Sequence, residues 1–454
     1  MTPISTFLGL KQEEMDTAEK RGAYAVAVVG CGREGLFYGT AFAEAGFKVA
    51  LVDPDRSLIK RLIKGQSGFF EREIESRLRT LWRTGRLAAT DDLKDAVLHS
   101  DIILVTTNPK IDEKTSVNYS EVEKACKQVG ANLKRGTIVI YTGIAGFGFI
   151  ESVVREALVN ASGLKVGEDF GLAYSPLLMF NQRPSLEAIS NCELKVAAND
   201  KISLDSASAV LATITKRGVK HAVNFRTIEL ATLFSALRLD ANIALTNELA
   251  VLCEKAGTDY LEIMKLLDSQ QTLSSLVPTI NEDLRREVYI LIESAENLNT
   301  KLRLATLTRQ LNEDMIRHAV NLTQNALRSC GRTLRRSRIT VLGATRPGTP
   351  GEIFVKMLET KGAKTSVFDP TALVCDNINR GEKPKRSIAD LVEGSDCMVL
   401  LLGQELPWDI NLKNLRTVMR SPSAIIDLSG TLDPEKAEIE GFIYRGLGRG
   451  TGRK

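Results

Sequence analysis

Long apolar runs are missing from this 454-residue chain. No stretch of about 18 apolar residues occurs, so no membrane-spanning helix is expected. Histidine is scarce: the three in the chain stand near neither one another nor a cysteine, and no metal site is expected. The seven cysteines (Cys31, Cys126, Cys192, Cys253, Cys330, Cys375 and Cys397) show no paired or CxxC spacing, and their number is odd. Reduced thiols in a cytoplasm are the expectation. A charge excess is lacking too, because 60 basic against 56 acidic residues leave only +4, which predicts neither a nucleic-acid nor a membrane partner. The one basic run, Arg332 to Arg338, reads as a solvated helix end or interdomain joint. Residues 1–22 have no apolar core of the kind an export signal needs and read as a tail or short exposed helix. The length exceeds what one hydrophobic core usually serves, so two or three domains are expected.

What is present is concentrated in Ala25 to Asp53, AVAVVGCGREGLFYGTAFAEAGFKVALVD. A β-branched run enters a turn carrying Gly30, Gly32 and Gly35, a helical apolar pattern follows, and a second apolar run ends at Asp53. Strand, glycine turn, helix, strand and acid are the parts of a dinucleotide site. Gly30 turns the chain off the strand, Gly32 lets backbone approach a pyrophosphate, and Gly35 lets the helix pack closely. Arg33 and Glu34 open the helix, whose free N–H groups and partial positive charge suit phosphate. Asp53 is placed for the ribose hydroxyls and favours NAD, because its charge would repel the 2′-phosphate of NADP.

Short apolar runs and helical stretches then alternate: Ile102 to Val105, Ser120 to Leu133, Thr137 to Tyr141, Glu151 to Leu158, Gly171 to Ser175, Leu194 to Ala197, Ser203 to Lys216 and Lys220 to Val223. The alternation predicts a doubly wound parallel sheet. Ligands of such sheets lie at the carboxyl ends of the strands, which adds Thr106, Asn108 and Thr142 to the cofactor candidates. From Thr227 to Ala256 there is no Gly or Pro and the apolar spacing is helical, so one long helix is expected; helical patterns continue at Leu261 to Leu267 and Arg285 to Ser329. A second α/β unit begins at Arg338, with strand Ile339 to Leu342, a Gly/Pro turn, helix Glu352 to Lys361, strand Thr365 to Phe368 and further strands at Met398 to Leu402 and Ser423 to Asp427. Its turn lacks the closely spaced glycines of the first.

The expected fold is therefore α/β, with two Rossmann-like doubly wound parallel-sheet domains joined by a central helical domain built on one long helix. The domain boundaries expected are a tail at 1–22, an NAD-binding domain at 23–224, a central domain at 225–330 and a second Rossmann-like domain at 331–454.

Phrases spanning nearly the whole chain carry a resemblance: VVGCGREG at 28–35, TGRLAATDDLKDAV at 84–97, LKRGTIVI at 133–140, ANIALTNELAVLCEKAGTD at 241–259, ETKGAKTSVFDP at 359–370, LVEGSDCMVLL at 391–401 and GFIYRGLGRG at 441–450. In this order they resemble the UDP-glucose/GDP-mannose (nucleotide-sugar) 6-dehydrogenase family. The resemblance implies NAD on the first unit, a UDP- or GDP-sugar on the second, a homodimer through the long helix, and oxidation of a sugar C6 alcohol to an acid with two NAD. That chemistry uses a cysteine nucleophile, a Lys, an Asn and a Glu.

Transfer of those groups fails residue by residue. The cysteine loop should follow Leu267, yet DSQQTLSSLVPTINEDLRRE at 268–287 holds no Cys and no Gly. Along the long helix, Thr232 stands at the Lys position and Ala236 at the Asn position; Leu177 follows Pro176 where a Glu is expected, and Tyr141-Thr142-Gly143 replaces the Glu-Ser-Thr phrase. Cys253 lies in an apolar helical pattern and reads as core, and Cys330 is the alternative thiol. In the second unit only Arg346 remains as a candidate for a sugar-nucleotide phosphate. No residue qualifies as catalytic, so the expectation is a member that binds NAD with its chemistry lost or altered; an active dehydrogenase with a rearranged site is the alternative.

Overall fold

The structure is a computed structural model that describes residues 7–10, 12–65, 72–112, 115–177, 189–267, 277–280, 284–343, 349–368, 387–401 and 410–450. It divides into two compact units: residues 1–236 with 285–301, and residues 237–284 with 302–454.

Within the first unit, strands β1 (Ala25–Val29), β2 (Lys48–Val52), β3 (Leu87–Thr90), β4 (Ile102–Val105), β7 (Ile138–Tyr141), β8 (Gly171–Tyr174), β9 (Leu194–Ala198) and β10 (Val219–His221) form one sheet, in the order β10-β9-β8-β7-β4-β1-β2-β3. A separate antiparallel pair joins β5 (Lys110–Ile111) to β6 (Val117–Asn118). β4 and β7 are buried at every residue, as expected of strands covered on both faces. Each such fully buried Ile, Leu or Val contributes on the order of 1.5–3 kcal/mol. The alternation of strands and helices predicts parallel pairing, and the sheet neighbours β3-β2-β1-β4-β7-β8 follow it; β9 pairs antiparallel to β8, and β10 then runs parallel to β9. Chain order reverses between β4 and β1, which makes that boundary the topological switch point.

The 32-residue helix Phe225–Ala256 realises the long helix read from the apolar spacing. The pattern from Arg285 to Ser329 is instead two helices, Arg285–Asn297 and Arg303–Ser329, because Asn299 takes a left-handed conformation (φ 55°) that ends the first. Arg285–Asn297 belongs to the first unit, where it packs on the β5–β6 pair.

The second unit holds a five-stranded parallel sheet in the order β12-β11-β13-β14-β15, made of β11 (Arg338–Leu342), β12 (Lys364–Phe368), β13 (Cys397–Leu400), β14 (Ala424–Asp427) and β15 (Ile443–Gly446). Leu87–Thr90 and Ile443–Gly446 are strands that the apolar-run reading passes over; both are short and mix small or polar residues with apolar ones. Asp427 at the end of β14 is fully buried and accepts from the Ser429 N–H (3.0 Å), the Ser429 hydroxyl (2.8 Å), the Leu432 N–H (2.8 Å) and the Tyr444 hydroxyl (3.1 Å). Two helices of this unit are clamped by a buried ion pair: Arg309 Nη1 lies 2.7 Å from Asp240 Oδ1, which also accepts from Asn312 Nδ2 at 2.8 Å. Asn247 adds a second clamp, bonding both the N–H and the C=O of Thr279 at 3.0 Å.

Removing one partner of a buried pair leaves the other charge without compensation. Arg309→Ala is therefore expected to destabilise the protein by about 3–5 kcal/mol, measured by urea denaturation, whereas the nearby exposed pair Arg317–Asp314 should cost under about 1 kcal/mol on the same substitution.

Candidate functional site

At the carboxyl end of β1 the chain turns at Gly30, whose φ of 103° puts it in the region that favours glycine. Its N–H donates to the Val52 carbonyl (2.8 Å), and its carbonyl accepts from the Thr106 hydroxyl (2.7 Å). Helix Arg33–Ala45 begins immediately, with Gly32 as its N-cap. A Cβ on Gly35 would stand 1.9 Å from the Gly30 carbonyl oxygen, whereas one on Gly32 would meet nothing within 4 Å. The third glycine is thus demanded by packing of the helix on its own turn, and the second faces open space.

Asp53, at the end of β2, accepts the Cys31 N–H on one carboxylate oxygen (2.8 Å) and the Asp55 N–H on the other (2.9 Å), so it braces the turn across the crevice mouth. Thr106 and Thr142 are buried and close the ends of the sheet: the Thr106 N–H bonds the Val29 carbonyl and the Thr142 N–H the Val105 carbonyl, at 3.0 and 2.9 Å. Asn108 bridges the switch point. Its Nδ2 donates to Glu34 Oε2 (2.7 Å) and its Oδ1 accepts from the Ile144 N–H (2.7 Å). The sequence candidates Gly30, Gly32, Arg33, Glu34, Gly35, Asp53, Thr106, Asn108 and Thr142 therefore converge on one edge of one sheet. Arg346 lies outside the described residues, as does Cys375.

Several groups at this edge escape sequence reasoning. Arg286 places Nη2 3.8 Å from Glu34 Oε1 and grips Glu287 Oε1 through Nη2 and Nε at 2.6 and 3.0 Å. Glu287 Oε2 is buried with no hydrogen-bond partner, and so is the Ser175 hydroxyl just beyond β8. Burial raises the Glu34 carboxyl above the ordinary range, while Arg286 and the Asn108 bond pull it down. Tyr141, at the end of β7, donates to the Thr107 carbonyl (3.0 Å) and stacks on Tyr174, with ring centroids 5.9 Å apart.

The loop after β7 is held from three sides. Ser294 Oγ accepts the Phe147 N–H (3.1 Å), and the buried Glu229 carboxylate accepts the Gly148 N–H (2.6 Å) and the Ile150 N–H (2.9 Å) at the start of a helical run. Burial lifts the Glu229 carboxyl to about 7 against these two bonds. No signal near Arg286 in the sequence points to a role for it; Glu229 could have been found only as the one charged residue in the phrase IELATLF.

Among the described residues no group of three His, Cys, Asp or Glu is arranged to hold a metal, and no helix is long and apolar enough to cross a membrane. Residues 24–193 match the NAD binding domain of the UDP-glucose/GDP-mannose dehydrogenase family, and residues 226–314 match its central domain. The chain belongs to this family. It is 27% identical to the UDP-N-acetyl-D-mannosamine dehydrogenase of Pyrococcus horikoshii over 94% of this chain and 99% of that one. With the UDP-glucose 6-dehydrogenase of Rhizobium meliloti it shares 24% identity over 93% and 99%. The solved UDP-N-acetyl-D-mannosamine dehydrogenase structure from Pyrococcus horikoshii superposes with a TM-score of 0.79 at 25% identity, covering 94% of this chain and 99% of that one. The cofactor of the family's first domain is NAD, and the turn fits it, since the space in front of Gly32 is open and the helix N-terminus faces it. When bound, NAD supplies a hydride acceptor.

Two expectations follow. Gly35→Ala should destabilise the fold by about 2–3 kcal/mol through overpacking, while Gly32→Ala should leave the urea midpoint unchanged and weaken NAD binding at least about tenfold, read by calorimetry. Glu229 favours its protonated form in the fold, so its contribution to stability is greatest below about pH 4.5 and falls as pH rises toward about 7. Denaturation curves across that window should show the decline, by up to about 3 kcal/mol, and Glu229→Gln should remove it.

Proposed function

We propose that the chain binds NAD along the β1–β4 crevice, through Gly30, Gly32, Arg33, Glu34, Gly35, Asp53, Thr106, Asn108 and Thr142, and does not carry out the thiol-dependent oxidation of a sugar alcohol to an acid. The observation that carries this reading is the state of the two helix positions where a Lys and an Asn would act. Thr232 is buried with its hydroxyl donated to the Ile228 carbonyl at 2.7 Å, and Ala236 is fully buried and has no polar group. The described thiols supply no ready substitute: Cys31, Cys126, Cys253, Cys330 and Cys397 are buried, Cys192 is half-buried, and burial raises Cys31, Cys126, Cys192, Cys330 and Cys397 away from the thiolate form.

A UDP- or GDP-sugar is the second ligand of this reading, supported by the relatives that carry UDP-sugars in their names. Residues 23–224 would serve NAD, 225–330 dimerisation and 331–454 the nucleotide sugar. A homodimer is supported by Leu245, Leu249 and Leu252, which stand at helical spacing on Phe225–Ala256 and are 41–60% exposed. A cytoplasmic setting agrees with the unpaired cysteines among the described residues. The second reading, an active dehydrogenase with a rearranged site, is favoured by the charged group Glu34, Arg286 and Glu287 beside the cofactor turn.

Calorimetry with NAD, run beside an NADH assay on a panel of UDP- and GDP-hexoses, tests the choice. NAD binding without turnover is expected, and Asp53→Ala should weaken that binding by about tenfold or more. Two NADH formed per sugar would overturn the proposal in favour of the second reading.

A further inference from the structure

The first turn of helix Arg33–Ala45 carries an acid where an anionic ligand has to sit. The positive end of a helix stabilises a single nearby anion well. In the free protein that anion is Glu34, turned inward with only 17% of its side chain exposed, its Oε2 held by Asn108 at 2.7 Å and its Oε1 3.8 Å from Arg286. The pyrophosphate of a dinucleotide needs the same helix end. Two anions within one helical turn repel in a buried setting far more strongly than in water. The guanidinium nearest Glu34 is a poor counter-charge for a second anion, because it is already gripped by Glu287, and Glu287 keeps a second carboxylate oxygen buried without a partner.

We propose that Glu34 is the proton-exchanging group of the cofactor crevice, taking up a proton from solvent as NAD seats on the turn. The inference rests on the NAD placement proposed above. Protonation removes the repulsion while leaving the carboxyl oxygen that Asn108 already uses as acceptor. The groups facing Glu34 come from four elements. From helix Arg285–Asn297 they are Arg286 and Glu287, the former a permanent cation. From its own helix they are Arg33 and Tyr38, from β7 Tyr141 and from β8 Tyr174, and burial drives all three tyrosines upward, away from ionisation. Desolvation also raises Glu34 itself in the free protein, which brings its titration closer to neutrality before any ligand arrives.

The linkage has a sign. A proton bound with the ligand makes affinity fall as pH rises, and a neutral side chain at this position makes it flat. Isothermal titration of the full-length protein with NAD at pH 5.5, 7 and 8.5, each in two buffers of different ionisation enthalpy, reads both affinity and protons taken up. For the wild-type protein, net proton uptake is expected, with affinity at pH 8.5 about tenfold below that at pH 5.5. Glu34→Gln should abolish the uptake and bind NAD more tightly than wild type at pH 8.5, and Glu287→Gln should keep the uptake. The wild-type measurement needs no variant, so a poorly folding Glu34→Gln does not remove the test. Binding of NAD by the wild type without proton uptake at any of the three pH values would overturn the proposal, as would uptake that survives in Glu34→Gln or vanishes only in Glu287→Gln. Absence of NAD binding by the wild type at every pH would instead overturn the cofactor placement, and this inference with it.

Discussion

The contact between Gly35 and the Gly30 carbonyl is the constraint on which the first unit depends. It brings helix Arg33–Ala45 so close to the end of β1 that a methyl group does not fit. Everything at the carboxyl edge is positioned by that approach. The Thr106 hydroxyl reaches the Gly30 carbonyl, Asp53 reaches the Cys31 N–H, and Glu34 is carried over the switch point to meet Asn108. A helix set even an ångström farther out would open the Glu34–Asn108 bond, which is 2.7 Å long.

Upon that rigid turn the chain assembles an unusual balance of charge. A dinucleotide crevice is ordinarily a place for backbone amides and one ribose-binding acid. Here the acid of that kind, Asp53, is joined by Glu34 and Glu287 with Arg286 between them. On the long helix Thr232 and Ala236 are both buried, and the Thr232 hydroxyl is turned back to the Ile228 carbonyl. Polar and charged groups thus gather at the mouth of the cofactor turn, where Glu34, Arg286 and Glu287 stand beside Asn108.

How much of this could be read in the sequence follows from the distance between partners along the chain. Gly30, Gly32, Gly35 and Asp53 span 24 residues, and their spacing alone implies the turn. The long helix Phe225–Ala256 is legible because apolar periodicity is local. The β8–β9 reversal is not, since a short apolar run carries no direction. The split of the Arg285 to Ser329 pattern turns on one left-handed Asn299 that no period reveals. Glu229 and the loop it holds are about 80 residues apart, and Tyr119 and its partner Glu293 are 174 apart; such pairings are decided by tertiary packing and leave no mark on either segment. The assignment of Arg285–Lys301 to the first unit was hidden for the same reason.

The loop that follows β7 lacks helix and strand from Thr142 to Gly148, yet most of its residues are buried and N–H groups of Ile144, Phe147 and Gly148 are taken by Asn108, Ser294 and Glu229. In entropic terms it belongs with the sheet. A ligand entering beside it meets a wall whose ordering cost was met when the protein folded, so little binding free energy is diverted to immobilising backbone. Amides such as that of Ile144 would then exchange with solvent on the timescale of global unfolding, although they lie in a loop.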